Sequence, residues 1–318
     1  MKETNFIGKN RAKWKNYEAL LKVPGTTSPD QLATLYVVLT DDLAFARTHY
    51  PQSEIVSYIN LLLSNIHLDI YRNKREKGSR FVQFWKYEVP LAVYSARRAF
   101  LISLLIFIAG FGIGLISTAH DEGFARLIMG EEYINMTLQN IEKGDPMAVY
   151  KSHESSEMFL AISINNIRVS FLAFIAGVFT SIGTGLILLR NAVMVGAFQY
   201  FFYEQGLLTE SVLTIWIHGT LEISAIIIAG AAGIVFGNGI LFPGTYPRIQ
   251  SMRTAAVKGI KIVAGLIPIF IFAAFLEGYV TRLTEMPTLL KLFIIGTSLI
   301  FILFYFVYYP VKINRLFL

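Results

Sequence analysis

Two ionisable residues interrupt a stretch that is otherwise apolar enough for a lipid bilayer. The run IWIHGTLEISAIIIAGAAG, residues 215–233, carries His218 and Glu222. Positions i and i+4 of a helix lie one above the other, so the imidazole and the carboxylate point in one direction. Ionisable groups in hydrocarbon are costly and face a bundle interior or a water-filled cavity. As metal ligands the two are weak candidates. HGTLE offers one histidine and one carboxylate, whereas a metalloprotease helix places two histidines at that spacing and takes a third ligand from elsewhere.

The chain that must position them has 318 residues, 54% hydrophobic and 16% charged, with a mean hydropathy of +0.52. Soluble domains carry about 25% charged residues, so the composition predicts an all-α, polytopic integral membrane protein. The net charge of +6 gathers at the ends of apolar segments, which orients a membrane protein and does not point to nucleic acid. The absence of cysteine excludes disulfides, thiolate metal sites and cysteine nucleophiles. The N-terminal MKETNFIGKNRAKWKNYEALL is polar and basic and lacks the apolar core of a signal peptide.

Residues 1–95 read as a cytoplasmic helical domain and 96–318 as the transmembrane domain. FIGKNRAKWKNYEALL is a basic amphipathic helix; after the break VPGTTSPD, Ser28 is a candidate N-cap with Pro29 at the first helical position. Ile55, Ile59, Leu62, Ile66 and Ile70 form one helical stripe. The cluster RNKREKGSR closes the domain, and FVQFWKYEVPLAVYSARR reads as an amphipathic juxtamembrane segment. Apolar spans follow at 99–118, 165–189, 191–204, 215–237, 260–280 and 289–309. Arg97 and Arg98 set the start of the first span inside, and the long acidic loop 119–160 sets its end outside. Arg190 marks the second span's inner end, and Arg248, Arg253, Lys258 and Lys261 put the loop after 237 inside as well. The short segment 191–204 must then cross, giving six spans with both termini cytoplasmic; with 191–204 re-entrant there would be five.

Depth brings the polar residues together. Counting back about 20 residues from the inner ends near Leu189 and Phe236 reaches the outer boundary. There ISINNIRVS places Asn165, Asn166 and Arg168, and the other span places His218 with Glu222 one turn deeper. FLEGYVTR brings Glu277 and Arg282 to the same level on the fifth span. Either Arg168 pairs with Glu222 or Glu277 and holds helices together, or these groups line a functional cavity. Polar contacts between membrane helices are often worth only about 0.6 kcal/mol, so cohesion alone is a modest return for groups this costly. No Ser/His/Asp set or phosphate-binding glycine loop stands out. GFGIG (110–114) and Ala229, Gly233 and Gly237 at fourfold spacing fit close helix packing.

Several motifs in fixed order carry a family resemblance. NNIRVSFLAFIAGVFTSIGTG, RNAVMVGA, HGTLEISA, FPGTYPR and FLEGYVTR, with RAKWKNYEALL, LYVVLTDDLAFARTHYP and YINLLLSNIHLDIYR before them, resemble long-form members of the stage II sporulation protein M family. Ala192 stands where the family usually has glycine. The resemblance implies Asn166, Arg168, Asn191, His218, Glu222 and Glu277 as the matching polar positions. It further implies a multi-pass protein of the bacterial cytoplasmic membrane whose founding member recruits a peptidoglycan-degrading machine and is not known as an enzyme. Long-form relatives are encoded near MoxR-type AAA+ ATPases and RDD-family membrane proteins, which makes these candidate partners.

Two functions follow. One is a scaffold: the helical domain and the outer loop each recruit cell-envelope or membrane partners, no cofactor is needed, and small-residue faces fit a homodimer. The other is a transporter, channel or lipid-handling protein with an outward-half polar cavity. An intramembrane enzyme is a distant third.

Overall fold

The computed structural model describes residues 2–21, 29–71, 79–148, 155–283 and 285–316. Ser28, most of RNKREKGSR and the middle of the acidic loop lie outside them. Helix is the regular structure throughout the described residues, as the composition requires, and the chain divides into two units at Lys77–Gly78.

The first unit holds α1 (Glu3–Leu21), α2 (Pro29–His49) and α3 (Glu54–Tyr71). Ile59, Leu62 and Ile66 of the apolar stripe are buried against Leu35, Leu39 and Leu43 of α2 and Phe6 and Trp14 of α1. The buried Trp14 ring donates its Nε1–H to Asp42 at 2.8 Å, and Lys13 reaches the same carboxylate at 2.6 Å. Burying side chains of this size contributes about 1.5–3 kcal/mol each, which gives the unit a core of its own.

The second unit opens with α4 (Ser79–Gln83), a π-helical turn at Phe84–Glu88 and α5 (Val89–Ser95). This aromatic segment is anchored through its backbone and its charge. Tyr305 and Tyr309 donate to the carbonyls of Trp85 and Lys86, and Lys261 pairs with Glu88 at 2.7 Å. Then come α6 (Arg97–His120), α7 (Glu122–Met129), α8 (Glu131–Glu142), α9 (Ser155–Ile175), α10 (Thr180–Glu204), α11 (Leu208–Leu241), α12 (Arg248–Phe275), α13 (Thr288–Leu303) and α14 (Tyr309–Leu316).

Five helical stretches are long and apolar enough to cross a membrane, and one of them, Ser156–Glu204, runs for 49 residues. Straight, it would measure about 74 Å at 1.5 Å per residue, more than twice a bilayer core. It is not straight. A 3₁₀ turn at Ala176–Phe179 ends α9, and Thr180 (φ 69°, ψ 175°) reverses the chain. That conformation is strained for a residue with a Cβ. The packing register confirms the reversal. Along α11, Asn238, Gly233 and Gly230 meet Ser181, Thr184 and Leu188 of α10 in antiparallel order. Against α9 the order is parallel: Glu222 lies beside Asn166 and Gly233 beside Ala173. The stretch is a helical hairpin, so it contributes two antiparallel helices, α9 and α10, to the bundle.

The spans expected at 165–189 and 191–204 are therefore replaced by α9 and α10. The reversal falls at 176–180, where no charge or proline marks it, and not at Arg190. Arg190 sits well inside α10, on its exposed face.

Glycine makes the tightest crossing in the bundle. α6 and α10 run parallel, and a Cβ at Gly114 would meet the Val193 carbonyl oxygen, as one at Gly196 would meet that of Phe111. Such small-residue faces let membrane helices approach backbone to backbone. Ala192 is accommodated because it packs on Gly110 of α6.

Candidate functional site

Two helices position the ionisable centre. α11 carries the buried His218 and, one turn on, Glu222. α12 ends in a π-helical turn, Leu276–Thr281, which carries Glu277 and Thr281. π-bulges are rare and occur frequently at functional sites. His218 Nδ1 lies 3.0 Å from Thr281 Oγ1, and that hydroxyl donates to the Leu276 carbonyl at 3.1 Å. With the hydroxyl proton so committed, Nδ1 must be the donor in its contact with Thr281. Nε2 then faces the Glu277 carboxylate, 3.7 Å from Oε2. One ligand-type atom from each of His218, Glu222 and Glu277 lies within 4.8 Å of the others.

The packing register gives the centre its depth. Gly237 lies against the backbone at Thr180 and Ser181 in the α9–α10 turn. Glu222 is 15 residues away along α11, about 22 Å at 1.5 Å per residue. That separation sets the centre well away from the turn end of the bundle.

A cavity of about 390 Å³ adjoins it, walled by α6, α9, α10 and α11 and capped by α7 and α8. Its polar lining is mostly amide: Asn165, Asn166, Asn191 and Gln199 beside His218 and Glu222, with Phe107, Phe198 and Trp216 among its apolar walls. Asn191 donates to the Ile187 carbonyl of its own helix at 2.8 Å. Asn166 is only 6% exposed, accepts from Asn165 Nδ2 at 3.5 Å and lies within side-chain hydrogen-bonding reach of Glu222. Ser163 and Ser170 are buried on the same face of α9 but do not line the cavity.

The structure brings together Asn166, His218, Glu222 and Glu277, with Asn191 on the cavity wall. It does not bring in Arg168, which is exposed and forms no ion pair with Glu222 or Glu277. The reason is helical geometry. Residues two apart do not face each other, so the turn that directs Asn166 inward directs Arg168 away. Sequence reasoning missed Thr281 and Gln199. A lone glutamine in AFQYFF was a signal of the right kind, whereas Thr281 matters only through a contact 63 residues distant in sequence.

A family model described as Stage II sporulation protein M matches residues 103–282, more than half of the chain. The chain belongs to the stage II sporulation protein M family. The match runs from within α6 to just past the π-helical turn, and so contains every polar residue of the centre and of the cavity. A second model, described as a domain of unknown function (DUF8413), matches residues 4–72 within the N-terminal unit. Comparison with curated proteins and with solved structures gives no match.

Proposed function

We propose that this member of the stage II sporulation protein M family is a lipid-handling membrane protein. It receives the polar part of an amphipathic lipid in the cavity between α6, α9, α10 and α11. The carrying observation is the combination of an amide lining with aromatic walls at membrane depth. Amides both donate and accept, which suits an uncharged or zwitterionic headgroup, and the apolar walls suit the chain attached to it. The broader transporter or channel reading uses the same cavity.

The test is native mass spectrometry of the full-length protein released from detergent, compared with Gln199→Leu. Retention of a defined lipid by the wild type and its loss in the variant is the expected result. An identical, heterogeneous lipid population on both proteins would refute the reading.

A scaffold role is favoured by a different observation. The N-terminal unit has its own core and leaves Val37 and Leu61 exposed at 59% and 61%, which suits capture of a protein partner. The MoxR-type ATPase and the RDD-family protein implied by the resemblance are the partners to try. The charge distribution supports both termini being cytoplasmic. Basic residues flank the end of the bundle with the α9–α10 turn (Arg97, Arg98, Arg248, Arg253), and acidic residues flank the other (Asp121, Glu131, Glu132).

A further inference from the structure

We infer that His218, Glu222 and Glu277 bind a first-row divalent metal ion, of the Zn²⁺ or Mn²⁺ class, at the wall of the cavity. The inference deepens the cavity reading and rests on it to the extent that the cavity is the ion's way in.

The donor set comes first. An imidazole nitrogen and two carboxylates are ligands that zinc and manganese accept. Their atoms lie within 4.8 Å of one another, with the Nε2–Oε2 separation at 3.7 Å. Ligands about 2.1 Å from a tetrahedral ion stand about 3.4 Å apart, so modest side-chain rotation closes the set.

The histidine is already oriented for the role. A metal-bound histidine characteristically gives its other ring N–H to a fixed acceptor, which sets the tautomer. Here Nδ1 meets Thr281 Oγ1, whose own proton goes to the Leu276 carbonyl, and Nε2 is the nitrogen turned toward the carboxylates.

Charge supplies the need for a cation. Carboxylate oxygens of Glu222 and Glu277 lie within 4.8 Å of each other. The ion-pair contact found at these carboxylates is that of His218 with Glu277. Arg168, the arginine on the neighbouring helix, faces away. Two carboxylates this close, with one imidazole beside them, can share a cation that offsets the cost of burying them.

A fourth group adjoins the set: the buried Asn166 amide lies beside Glu222 at the cavity wall, where it can hold that carboxylate in place as a ligand.

The test uses full-length protein in detergent, stripped with chelator and then reloaded with Zn²⁺ or Mn²⁺ alone. Metal per chain, thermal unfolding and bound lipid are read on the same samples. The expected result is stoichiometric uptake with a rise in Tm, both abolished in His218→Gln and Glu277→Gln. Thr281→Val, which removes only the acceptor behind the histidine, should weaken affinity roughly 10–100-fold. Equal uptake by wild type and both glutamine variants would overturn the site, as would a wild-type Tm indifferent to saturating metal; the second measurement needs no variant to fold. Metal uptake by a protein that carries no lipid supports the site while overturning the cavity reading. Retained lipid without metal uptake overturns the site and leaves the cavity reading standing.

Discussion

Arg168 and Asn166 are two residues apart and have opposite fates. The amide is buried in the cavity wall and the guanidinium is exposed. An arginine truly paired with a buried carboxylate would cost about 3–5 kcal/mol to remove. The exposed Arg168 should cost within about 0.5 kcal/mol, as an ordinary surface change does. A double-mutant cycle of Arg168→Ala with Glu222→Gln or Glu277→Gln, read by thermal unfolding in detergent, should give coupling near zero; coupling above about 1 kcal/mol would contradict the placement. In the N-terminal unit the single-residue expectation is opposite. Trp14→Phe keeps the ring in the core but removes a hydrogen bond to a carboxylate, and should destabilise by about 1–3 kcal/mol.

Helices meet through what their small residues permit. On α6, Gly114 touches the α10 backbone, whereas Gly112, two residues earlier, has nothing within 4 Å of where a Cβ would stand. Gly114→Val should therefore lower stability by about 1–3 kcal/mol, the usual cost of overpacking, and Gly112→Val should change it little. Comparing the two Tm values controls for valine's poorer helix propensity, because both variants carry it. The α9–α10 hairpin makes a prediction of its own. Phe179 lies at its tip with 76% exposure. A cysteine there should be labelled by aqueous reagents from the same membrane side as one at Ser251. Labelling from opposite sides would mean that the chain does not reverse at 176–180.

At the scale of the whole molecule, the chain forms two units. The N-terminal unit has an aromatic core, and the membrane unit holds the cavity and the ionisable centre. Deleting residues 1–77 should leave the membrane unit inserted and its metal and lipid content unchanged, while abolishing capture of any protein partner. Unchanged partner capture by the truncated chain would exclude the recruiting role. Orientation is equally open to measurement in a cysteine-free chain. With the termini cytoplasmic, a cysteine at Lys143 is labelled from outside intact cells and one at Ser251 is not. The reverse pattern would invert the bundle and place the mouth of the cavity on the cytoplasmic side.

Sequence by itself determined the membrane class, the stripe of Ile59, Leu62 and Ile66, and the nearness of Asn166, His218, Glu222 and Glu277. These follow from composition, helical period and distance from a span's end, all of which are local or one-dimensional quantities. It misplaced the α9–α10 reversal because 176–180 reads as unbroken apolar chain. The next charge along the chain, Arg190, drew the boundary to itself, although a glycine and a strained threonine make the turn. Tertiary structure alone decided which polar groups meet. Arg168 was excluded by the rotation of α9 about its axis, a quantity fixed by packing against α11. Thr281 was included by the π-helical end of α12, which sets the register of the last turn against His218. Depth is written along a helix, but facing is settled only when the helix is packed.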